Sequence, residues 1–329
     1  MLIPAILLAS LFCGGAVAFF FSHWGVRWGF ADVPNVRSSH HRVTPRGGGA
    51  GIPLAACLSL LVFSRDSLAI IIPCGLLAVF SLFDDRFSLP VVWRLFVQIL
   101  SSLALVVWIQ SPWLINLYTG VDVLLLIGMV MSLVLVLAGG ANFFNFMDGI
   151  NGIAAFEAII SFGFLGLYTR FFLEQEAAFW IALAIVAASM GFLLFNFPKA
   201  RVFMGDVGSV TLGFLFASMA ILLARDAREF IVILSFQSVF YVDCIATLLI
   251  RLKSGENLFQ AHLMHFYQRL VHDRRWSHIQ VTLVYAFLQI FVGLSALLLR
   301  KESLCWIIGF WVLQFVFYFG IRISARLAE

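Results

Sequence analysis

The sequence predicts an all-α integral membrane protein with about eleven transmembrane helices. Its 329 residues are 62% hydrophobic and only 12% charged, and the mean hydropathy is +1.02. A soluble domain carries roughly 25% charged residues, so this composition excludes the soluble classes. The 36 Phe and 9 Trp residues are typical of lipid-facing surfaces and of aromatic belts at membrane interfaces. We expect a lipid bilayer as the environment and no nucleic-acid partner.

Each predicted helix is an apolar run close to the length of about 20 residues that spans a bilayer. The first run is not preceded by a basic segment and is long enough to span, which predicts a retained helix rather than a cleaved signal peptide. The chain, residues 1–329, is expected to form a single polytopic domain. The predicted spans cover residues 2–22, 48–63, 67–83, 92–109, 121–138, 150–169, 177–195, 209–224, 229–250, 280–299 and 303–321.

Basic residues divide unevenly between the two sets of connections that join these helices. One set carries most of the 21 Lys and Arg residues. Cytoplasmic loops of membrane proteins are enriched in Lys and Arg, so this set is predicted to face the cytoplasm. An odd number of helices then places the N-terminus outside and the C-terminus in the cytoplasm.

Polar residues concentrate in five connections on the predicted cytoplasmic side, residues 23–47, 84–91, 139–152, 196–209 and 251–279. A channel or carrier would place its ionisable groups near the bilayer midplane. This chain has few such groups there, mainly Glu157 and Asp243. The pattern favours a membrane scaffold that meets its substrate at the cytoplasmic surface.

The segment FMGDVGS, residues 203–209, brackets Asp206 with Gly205 and Gly208, and Ser209 is a candidate helix N-cap. Glycine lets backbone N–H groups approach an anion, and a helix N-terminus favours phosphate. Because a carboxylate would repel that phosphate, the pattern indicates a bridging Mg²⁺ ion. The alternative is a capped turn in which Asp206 only bonds backbone N–H groups.

The segment NFFNFMDGING, residues 142–152, places Asn142, Asn145 and Asp148 three residues apart, on one face of a helix. Asparagine supplies a neutral oxygen to a metal or amide donors to a phosphate. The alternative is a polar stripe that packs against another helix.

Two further loops carry guanidinium and imidazole groups. PRGGG puts Arg46 beside flexible backbone, which suits a phosphate, although basic residues here also fit a role in topology or in binding lipid headgroups. AHLMHFYQRL places His262 and His265 three apart, with Arg269 four further on. Donors to a diphosphate are favoured over zinc ligands because no third ligand is apparent. A surface amphipathic helix is the alternative.

The stretch SLFDDRFSLP ends an apolar run with the adjacent carboxylates of Asp84 and Asp85. Like charges this close need positive charge nearby, which Mg²⁺ and Arg94 would supply. Together the five loops provide acidic groups, Asn oxygens, glycine turns and basic groups. This inventory fits metal-assisted phosphoryl chemistry.

Five motifs resemble, in the same order along the chain, those of the polyprenyl-phosphate hexose-1-phosphate transferases, of the glycosyltransferase family 4 type. They are DVPNVRSSHHRVTPRGGG, DDRFSLPVVWR, NFFNFMDGING, FPKARVFMGDVGS and AHLMHFYQRL. The resemblance covers nearly the whole chain. It implies ten or eleven helices in the bacterial inner (cytoplasmic) membrane and an active site facing the cytoplasm, in line with the periplasmic N-terminus that the basic residues predict. It also implies transfer of a sugar-1-phosphate from a UDP-sugar to undecaprenyl phosphate with release of UMP, a requirement for Mg²⁺ or alternatively Mn²⁺, and a homodimer.

The resemblance assigns roles to individual residues. Asp206 corresponds to the principal Mg²⁺ ligand with Asn145 as a second, Asn151 to uracil recognition, and His262 and His265 to the groups that hold the nucleotide diphosphate. Asp84 and Asp85 correspond to aspartates near the lipid phosphate, one of them a proposed base, and Arg94 stands where many relatives have Lys. The complete candidate set is Asp84, Asp85, Asp148 and Asp206 as catalytic groups, Asp206 and Asn145 as metal ligands, and Arg46, Arg94, Asn142, Asn151, His262, His265 and Arg269 as substrate-binding groups.

Some relatives carry H-x-H-H at residues 262–265, where this chain has H-L-M-H with Met264 in place of a histidine. The resulting form, AH-x-x-H-x-YQ, resembles that of the branch that starts O-antigen synthesis. This implies a UDP-N-acetyl(deoxy)hexosamine donor, for example that of N-acetylfucosamine, N-acetylquinovosamine or N-acetylglucosamine, and a role in initiating lipopolysaccharide synthesis for the cell envelope. Direct in-line attack is the preferred mechanism, and a covalent aspartyl-phosphate route stays open. The rival function is a lipid-linked-sugar flippase or a membrane transporter.

Overall fold

The computed structural model describes residues 2–34, 42–64, 67–108, 122–257 and 263–327. Over these residues the chain is almost entirely helical, which confirms the predicted fold class. The α-helices, numbered here in chain order, are α1 (Leu2–Trp24), α2 (Gly51–Phe63), α3 (Leu68–Phe87), α4 (Val91–Trp108), α5 (Val123–Phe146), α6 (Ile153–Tyr168), α7 (Glu176–Asn196), α8 (Asp206–Leu223), α9 (Ala227–Ser235), α10 (Ser238–Lys253), α11 (Phe266–His272), α12 (His278–Leu299) and α13 (Leu304–Leu327). A two-stranded antiparallel ribbon joins β1 (Ala31–Asp32) to β2 (Thr44–Pro45).

Every predicted span corresponds to helical structure in the described part of the chain. Nine helices there are long and apolar enough to cross a membrane, and the bent pair α9 and α10 counts as a tenth if it forms one span. Helix α2 is apolar but shorter, with only 13 residues. Eleven spans were predicted, and ten are found among the described residues if the bent pair is one span. The difference is α2, because residues 48–63 were predicted to be a full span.

The predicted single span 229–250 is broken. Helices α9 and α10 meet at an angle of 89°, and the stretch between them leaves backbone groups without partners in the helix ladder. Gln289 of α12 satisfies two of them, because its Nε2 donates to the carbonyl of Ser235 at 3.1 Å and its Oε1 accepts from the N–H of Val239 at 3.1 Å. A broken helix is stable inside a membrane protein only when neighbouring groups complete its hydrogen bonds in this way.

Helix α8 is the centre of the bundle. The part of α8 that could span a membrane is 83% buried, the highest share among the candidate spans described. Its closest neighbours are α3 and α5, which carry the predicted acidic and Asn-rich motifs at their C-terminal ends. The N-terminus of α8, at Asp206, therefore lies where the ends of α3 and α5 meet.

Helices α1 and α7 approach each other more closely than side chains would allow. A Cβ placed on Gly14 would overlap the backbone carbonyl of Ala188, and one on Gly191 would overlap the carbonyl of Leu11. Small residues at a helix contact let two backbones pack directly, which is a main source of helix association in membranes. This contact fixes the N-terminal helix to the rest of the bundle.

The polar loops converge at one end of the helices. The glycine segment after β2 lies along the loop before α8, since the N–H groups of Gly48 and Gly49 donate to the carbonyls of Phe203 and Met204 at 3.0 and 2.9 Å. In the reverse direction, the N–H of Phe203 donates to the carbonyl of Pro45 at 2.8 Å. Backbone hydrogen bonds thus hold the PRGGG and FMGD motifs side by side.

Replacing Gly14 by Ala is expected to destabilise the bundle, because the added methyl group can fit only if the backbones of α1 and α7 move apart. We expect the free energy of unfolding to fall by about 1–3 kcal/mol. Thermal unfolding in detergent measures the effect. The matched control is Gly163→Ala on α6, where an added Cβ has nothing within 4 Å. Equal unfolding temperatures for the two variants would contradict the close contact.

Candidate active site

Asp85 binds the N-terminus of the central helix. Its Oδ1 accepts a hydrogen bond from the N–H of Asp206 at 2.8 Å, and its Oδ2 accepts one from the N–H of Val207 at 3.1 Å. These are the first two N–H groups of α8, which have no partner within the helix, and the helix dipole favours a negative charge there. The side chain is only 6% exposed, so its carboxylate is committed to holding α3 and α8 together.

Asp84 points to a different partner. Its Oδ2 lies 2.6 Å from Nε of Arg94, and its Oδ1 accepts a hydrogen bond from the N–H of Leu89 at 2.6 Å. Arg94 also reaches Asp206, with 3.3 Å between Nη1 and Oδ2. The carboxyl groups of Asp84 and Asp206 also lie close to each other. Asp84, Arg94 and Asp206 therefore form one charged cluster, which we call the acidic triad.

Gly205 makes this arrangement sterically feasible. Its φ of +76° lies in the left-handed region that favours glycine. A Cβ at this position would overlap the carboxylate of Asp85 and would lie 2.7 Å from the backbone nitrogen of Gly47. The glycine thus lets the acidic end of α3 and the PRGGG segment approach the start of α8 together.

Arg46 stands near the acidic residues without binding them directly. Its Nη2 forms an ion pair of 2.6 Å with Oδ1 of Asp32, across the β1–β2 ribbon. Burial lowers the pKa of the Arg46 guanidinium, but the bond to Asp32 and the charge of Asp32 raise it, so the pKa is raised overall. The Asp85 and Asp206 carboxylates lie close enough to raise this pKa further. Arg46 therefore supplies positive charge to the rim of the site.

The three predicted residues at the end of α5 have three different environments. Asn145 accepts a hydrogen bond at Oδ1 from the hydroxyl of Ser209 on α8, at 3.0 Å. Asn142 pairs with Gln98 of α4, since Nδ2 of Asn142 donates to Oε1 of Gln98 at 2.6 Å and Nε2 of Gln98 donates back at 3.3 Å. Only Asp148 has no hydrogen-bond or ion-pair partner for its side chain among the described residues.

Asp148 lies beyond the end of α5, outside the candidate spans. Burial raises the pKa of its carboxyl well above the usual range, the nearby Asp206 carboxylate raises it further, and Arg46 lowers it. A carboxyl in this environment gains from a cation or a proton donor placed next to it. Asp148 therefore belongs to the acidic site even though it makes no side-chain bond there.

A cavity of about 860 Å³ is lined by several of these groups, although Arg46, Asp85 and Asp148 are not among its lining residues. At its polar end it is lined by the acidic triad, by Asn142 and Asn145, and by His265 and Gln268. Its remaining wall is apolar and comes mainly from the membrane-spanning parts of α3, α4 and α5, with Leu77, Leu95, Ile99, Leu103, Met131, Val134 and Leu135. The cavity therefore has a charged end and an apolar end, a division that suits an amphipathic molecule.

The cavity does not include every predicted residue. Asn151 lies at the start of α6, where its Nδ2 donates to the carbonyl of Pro198 at 3.1 Å and its own carbonyl accepts from Thr282 at 2.9 Å. Arg269 forms an ion pair of 2.7 Å with Asp273 and lines a second, smaller cavity between α10, α12 and α13. His262 lies outside the described residues.

The structure adds two groups that the sequence did not single out, since Gln98 and Gln268 contact or line the site. Ser209, which the sequence suggested as the N-cap, lies instead in the first turn of α8, because the helix begins at Asp206 with Gly205 at the N-cap position. Gln98 is polar within an apolar run, and this is the one signal that would have identified it. Asp243, noted only as a mid-span acid, lies 3.4 Å from His265 between Oδ1 and Nδ1.

The donor set at the polar end of the cavity fits a hard divalent cation. Asp84 and Asp206 contribute two adjacent carboxylates, and Asn145 contributes an amide oxygen held close to the start of α8. Among the described residues, no three His, Cys, Asp or Glu side chains are grouped so as to hold a metal. Mg²⁺ suits such a set, because it takes one or two carboxylates and completes its octahedron with water and phosphate oxygens.

Comparison with known proteins identifies relatives of the chain. Residues 67–224 match the family model for glycosyl transferase family 4, a range that contains Asp84, Arg94, Asn145 and Asp206. The chain is 28% identical over 287 residues to the undecaprenyl-phosphate alpha-N-acetylglucosaminyl 1-phosphate transferase of Yersinia pestis, with 80% of this chain and 76% of the relative aligned.

Two further relatives cover different shares of the chain. The decaprenyl-phosphate N-acetylglucosaminephosphotransferase of Mycolicibacterium smegmatis is 24% identical over 314 residues, which is 83% of this chain and 77% of that protein. The phospho-N-acetylmuramoyl-pentapeptide-transferase of a Geobacillus species is 31% identical over 172 residues, about half of each chain at 50% and 52%.

Asp85→Asn is expected to lower the free energy of unfolding by about 1–2 kcal/mol, because the amide keeps one acceptor but loses the charge that the N-terminus of α8 favours. Thermal unfolding in detergent measures this loss. The control is Asp122→Asn, since Asp122 precedes α5 without a side-chain bond to it. If both variants unfold at the wild-type temperature, Asp85 does not hold the helix.

Proposed function

We propose that the chain transfers a sugar-1-phosphate from a UDP-sugar to a polyprenyl phosphate, with release of UMP. Residues 67–224 match the family model for glycosyl transferase family 4, which supports this reaction class. The relatives with the broadest coverage are named for N-acetylglucosamine phosphate transfer to undecaprenyl or decaprenyl phosphate. The proposed acceptor here is undecaprenyl phosphate. The proposed site is the polar end of the cavity, at the cytoplasmic face of a bacterial inner membrane.

The observation that carries this proposal is the composition of the cavity. Its polar end holds the acidic triad with Arg94 between two carboxylates, and its other wall is apolar and lies among membrane-spanning helices. A polyprenyl phosphate has the same division into a charged head and a hydrocarbon tail. The cavity therefore supports a substrate that enters from the lipid and is met at its phosphate.

The charges at the site favour a phosphate only if a cation accompanies it. Asp84, Asp85, Asp148 and Asp206 place four carboxyl groups near Arg94 and Arg46, and two phosphorylated substrates would add further negative charge. Asp206, Asp84 and Asn145 are the residues that would hold Mg²⁺, or Mn²⁺ in its place. When bound, the ion would neutralise the diphosphate of the donor and the charge that develops on it during transfer.

The protein groups favour direct attack by the acceptor phosphate. A phosphate monoester has a second pKa near 6, so it is nucleophilic at neutral pH without a strong base. Asp85 already accepts two backbone hydrogen bonds, and Asp84 is bonded to Arg94 and to the N–H of Leu89. These contacts suit both aspartates to positioning rather than to proton transfer or covalent attack.

Asp148 is the candidate nucleophile for a covalent route, since it alone among the four carboxyl groups lacks a side-chain partner within the described residues. It borders the site near Asp206 without lining the cavity. A covalent aspartyl-phosphate would allow exchange of UMP with the UDP-sugar when no lipid acceptor is present. Direct attack allows none. The exchange reaction with radiolabelled UMP therefore separates the two routes.

We propose an N-acetylated hexosamine or deoxyhexosamine as the sugar and initiation of O-antigen as the pathway role. The named N-acetylglucosamine transferases support the N-acetyl group, and the AH-x-x-H-x-YQ form supports the O-antigen branch. We further propose that the N-terminus is periplasmic, as the basic residues predict, and that the enzyme forms a homodimer, as the resemblance implies.

Asp206→Asn is expected to reduce formation of lipid-linked sugar by at least about 100-fold, because it removes a metal ligand and one partner of Arg94. The assay uses detergent-solubilised protein, undecaprenyl phosphate, Mg²⁺ and radiolabelled UDP-N-acetylglucosamine, with the corresponding UDP-N-acetylfucosamine and UDP-N-acetylquinovosamine as further donors. A chelator should abolish wild-type activity and added Mg²⁺ should restore it. A wild-type protein that makes no product with any donor contradicts the proposal and favours a flippase or transporter.

Arg94→Gln is expected to lower kcat/KM by about 100-fold, since it leaves the nearly buried carboxylate of Asp84 without its counter-charge. Arg94→Lys keeps the charge but not the two-armed geometry, so we expect a loss of about 10-fold or less. Initial rates at varied lipid concentration provide the values. Arg86→Gln is the matched control, because the Arg86 guanidinium lies over the ring of Phe87 and not in the cavity. An equal loss for Arg94→Lys and Arg94→Gln would show that charge at this position does not matter.

A further inference from the structure

Asp243 is a buried carboxylate that is surrounded by hydrogen-bond donors. It lies on α10, inside the bundle, and is only 1% exposed. Its Oδ2 accepts from the hydroxyl of Tyr285 on α12 at 2.6 Å, and its Oδ1 accepts from the hydroxyl of Tyr318 on α13 at 3.0 Å. A buried charge is costly unless it is fully bonded, and here three helices contribute to its bonding.

The same carboxylate holds the start of α11. The N–H of Phe266 donates to Oδ1 at 3.0 Å and the N–H of Tyr267 donates to Oδ2 at 3.4 Å. These are the first two residues of α11, whose N–H groups lack partners within the helix. Asp243 therefore fixes the position at which the chain enters α11, and His265 is the residue immediately before this point.

The side chain of His265 lies between Asp243 and the cavity. Its Nδ1 is 3.4 Å from Oδ1 of Asp243, and its ring lies 6.0 Å, between centroids, from the rings of both Phe146 and Tyr267. His265 also lines the cavity that holds the acidic triad. One nitrogen of the ring thus faces the buried carboxylate while the residue borders the substrate space.

We propose that Asp243 is a positioning residue, which holds a proton on Nδ1 of His265 and thereby directs Nε2 toward an anionic group of the substrate in the cavity. The hydrogen bond made by one imidazole nitrogen sets the state and orientation of the other. This inference rests on the proposed function for the identity of the anionic group, a phosphate of the nucleotide donor. Asp243 touches no substrate and acts only through His265.

This role requires a carboxylate, whereas capping the start of α11 would not by itself require one. Every described group that hydrogen-bonds Asp243 is a donor: two backbone N–H groups and three hydroxyls including that of Thr247. Nδ1 of the imidazole lies 3.4 Å from the same carboxylate. Asn has the same shape but presents a donor on one side. Asp243→Asn therefore keeps the side-chain shape but turns an amide donor toward one set of these donors, and it removes the charge that faces His265.

The first test observes the ring directly. ¹⁵N-histidine NMR of the detergent-solubilised protein, with the His265 signals identified by their loss in His265→Gln, reports which ring nitrogen carries a proton. We expect Nδ1 to be protonated in the wild type and the Nδ1-protonated population to fall in Asp243→Asn. Asp226→Asn is the control, because Asp226 caps α9 through the N–H of Glu229 with no histidine beside it. An unprotonated Nδ1 in the wild type overturns the proposal without any variant having to fold.

The second test measures coupling between the two residues. Asp243→Asn and His265→Gln are each expected to lower kcat/KM about 10-fold or more, and the double variant should be no worse than His265→Gln within about two-fold, since residues that act through each other are not additive. Losses that multiply in the double variant show that Asp243 has a structural role alone and overturn the proposal. A wild type that forms no lipid-linked sugar contradicts the proposed function instead, and the NMR spectra still decide whether Asp243 sets the proton on His265.

Discussion

The architecture of the site depends on the bond between a buried carboxylate and the start of a buried helix. Asp85 accepts hydrogen bonds from the first two N–H groups of α8. Because Asp85 and Val207 are almost fully buried, hydrogen bonds to solvent can contribute little in their place. The charge compensates the unpaired N–H groups, and the helix dipole compensates the charge. Because Asp85 is the last acidic residue of α3, this bond also sets where Asp84 and Arg94 stand relative to Asp206.

Two adjacent aspartates thus receive different environments from one helix end. Successive residues on a helix point about 100° apart, so Asp85 turns toward α8 while Asp84 turns toward α4 and the cavity. The glycines at 47 and 205 remove the side chains that would separate these elements. The result is a dense group of carboxyl oxygens whose negative charge only two arginines and a bound cation would offset.

The apolar runs were sufficient to predict the helices, because span length and hydropathy are local properties of the chain. The convergence of Asp84, Arg94, Asn145 and Asp206 was also predictable, since all four sit at helix ends on one side. Other features depend on partners distant in sequence. The break between α9 and α10, for example, is stabilised by Gln289 of α12. Arg269 fails for a different reason, because it pairs locally with Asp273, the residue that follows α11. Asn151 lies in the turn before α6, where helical periodicity does not predict the direction of a side chain. Gln98 was missed because one polar residue in an apolar run does not reveal which neighbour it faces.

The contact between α1 and α7 has a consequence for biosynthesis. Membrane proteins are made from the N-terminus onward, and domains assemble in that order, yet the glycine surface of α1 meets its main partner only at Gly191 and Ala188. The short helix α2 and four candidate transmembrane helices must leave the ribosome between the two. During that interval the first helix would lie in lipid with Gly14 uncovered, so an insertion factor or a transient neighbour that shields this surface would increase the yield of correctly assembled protein.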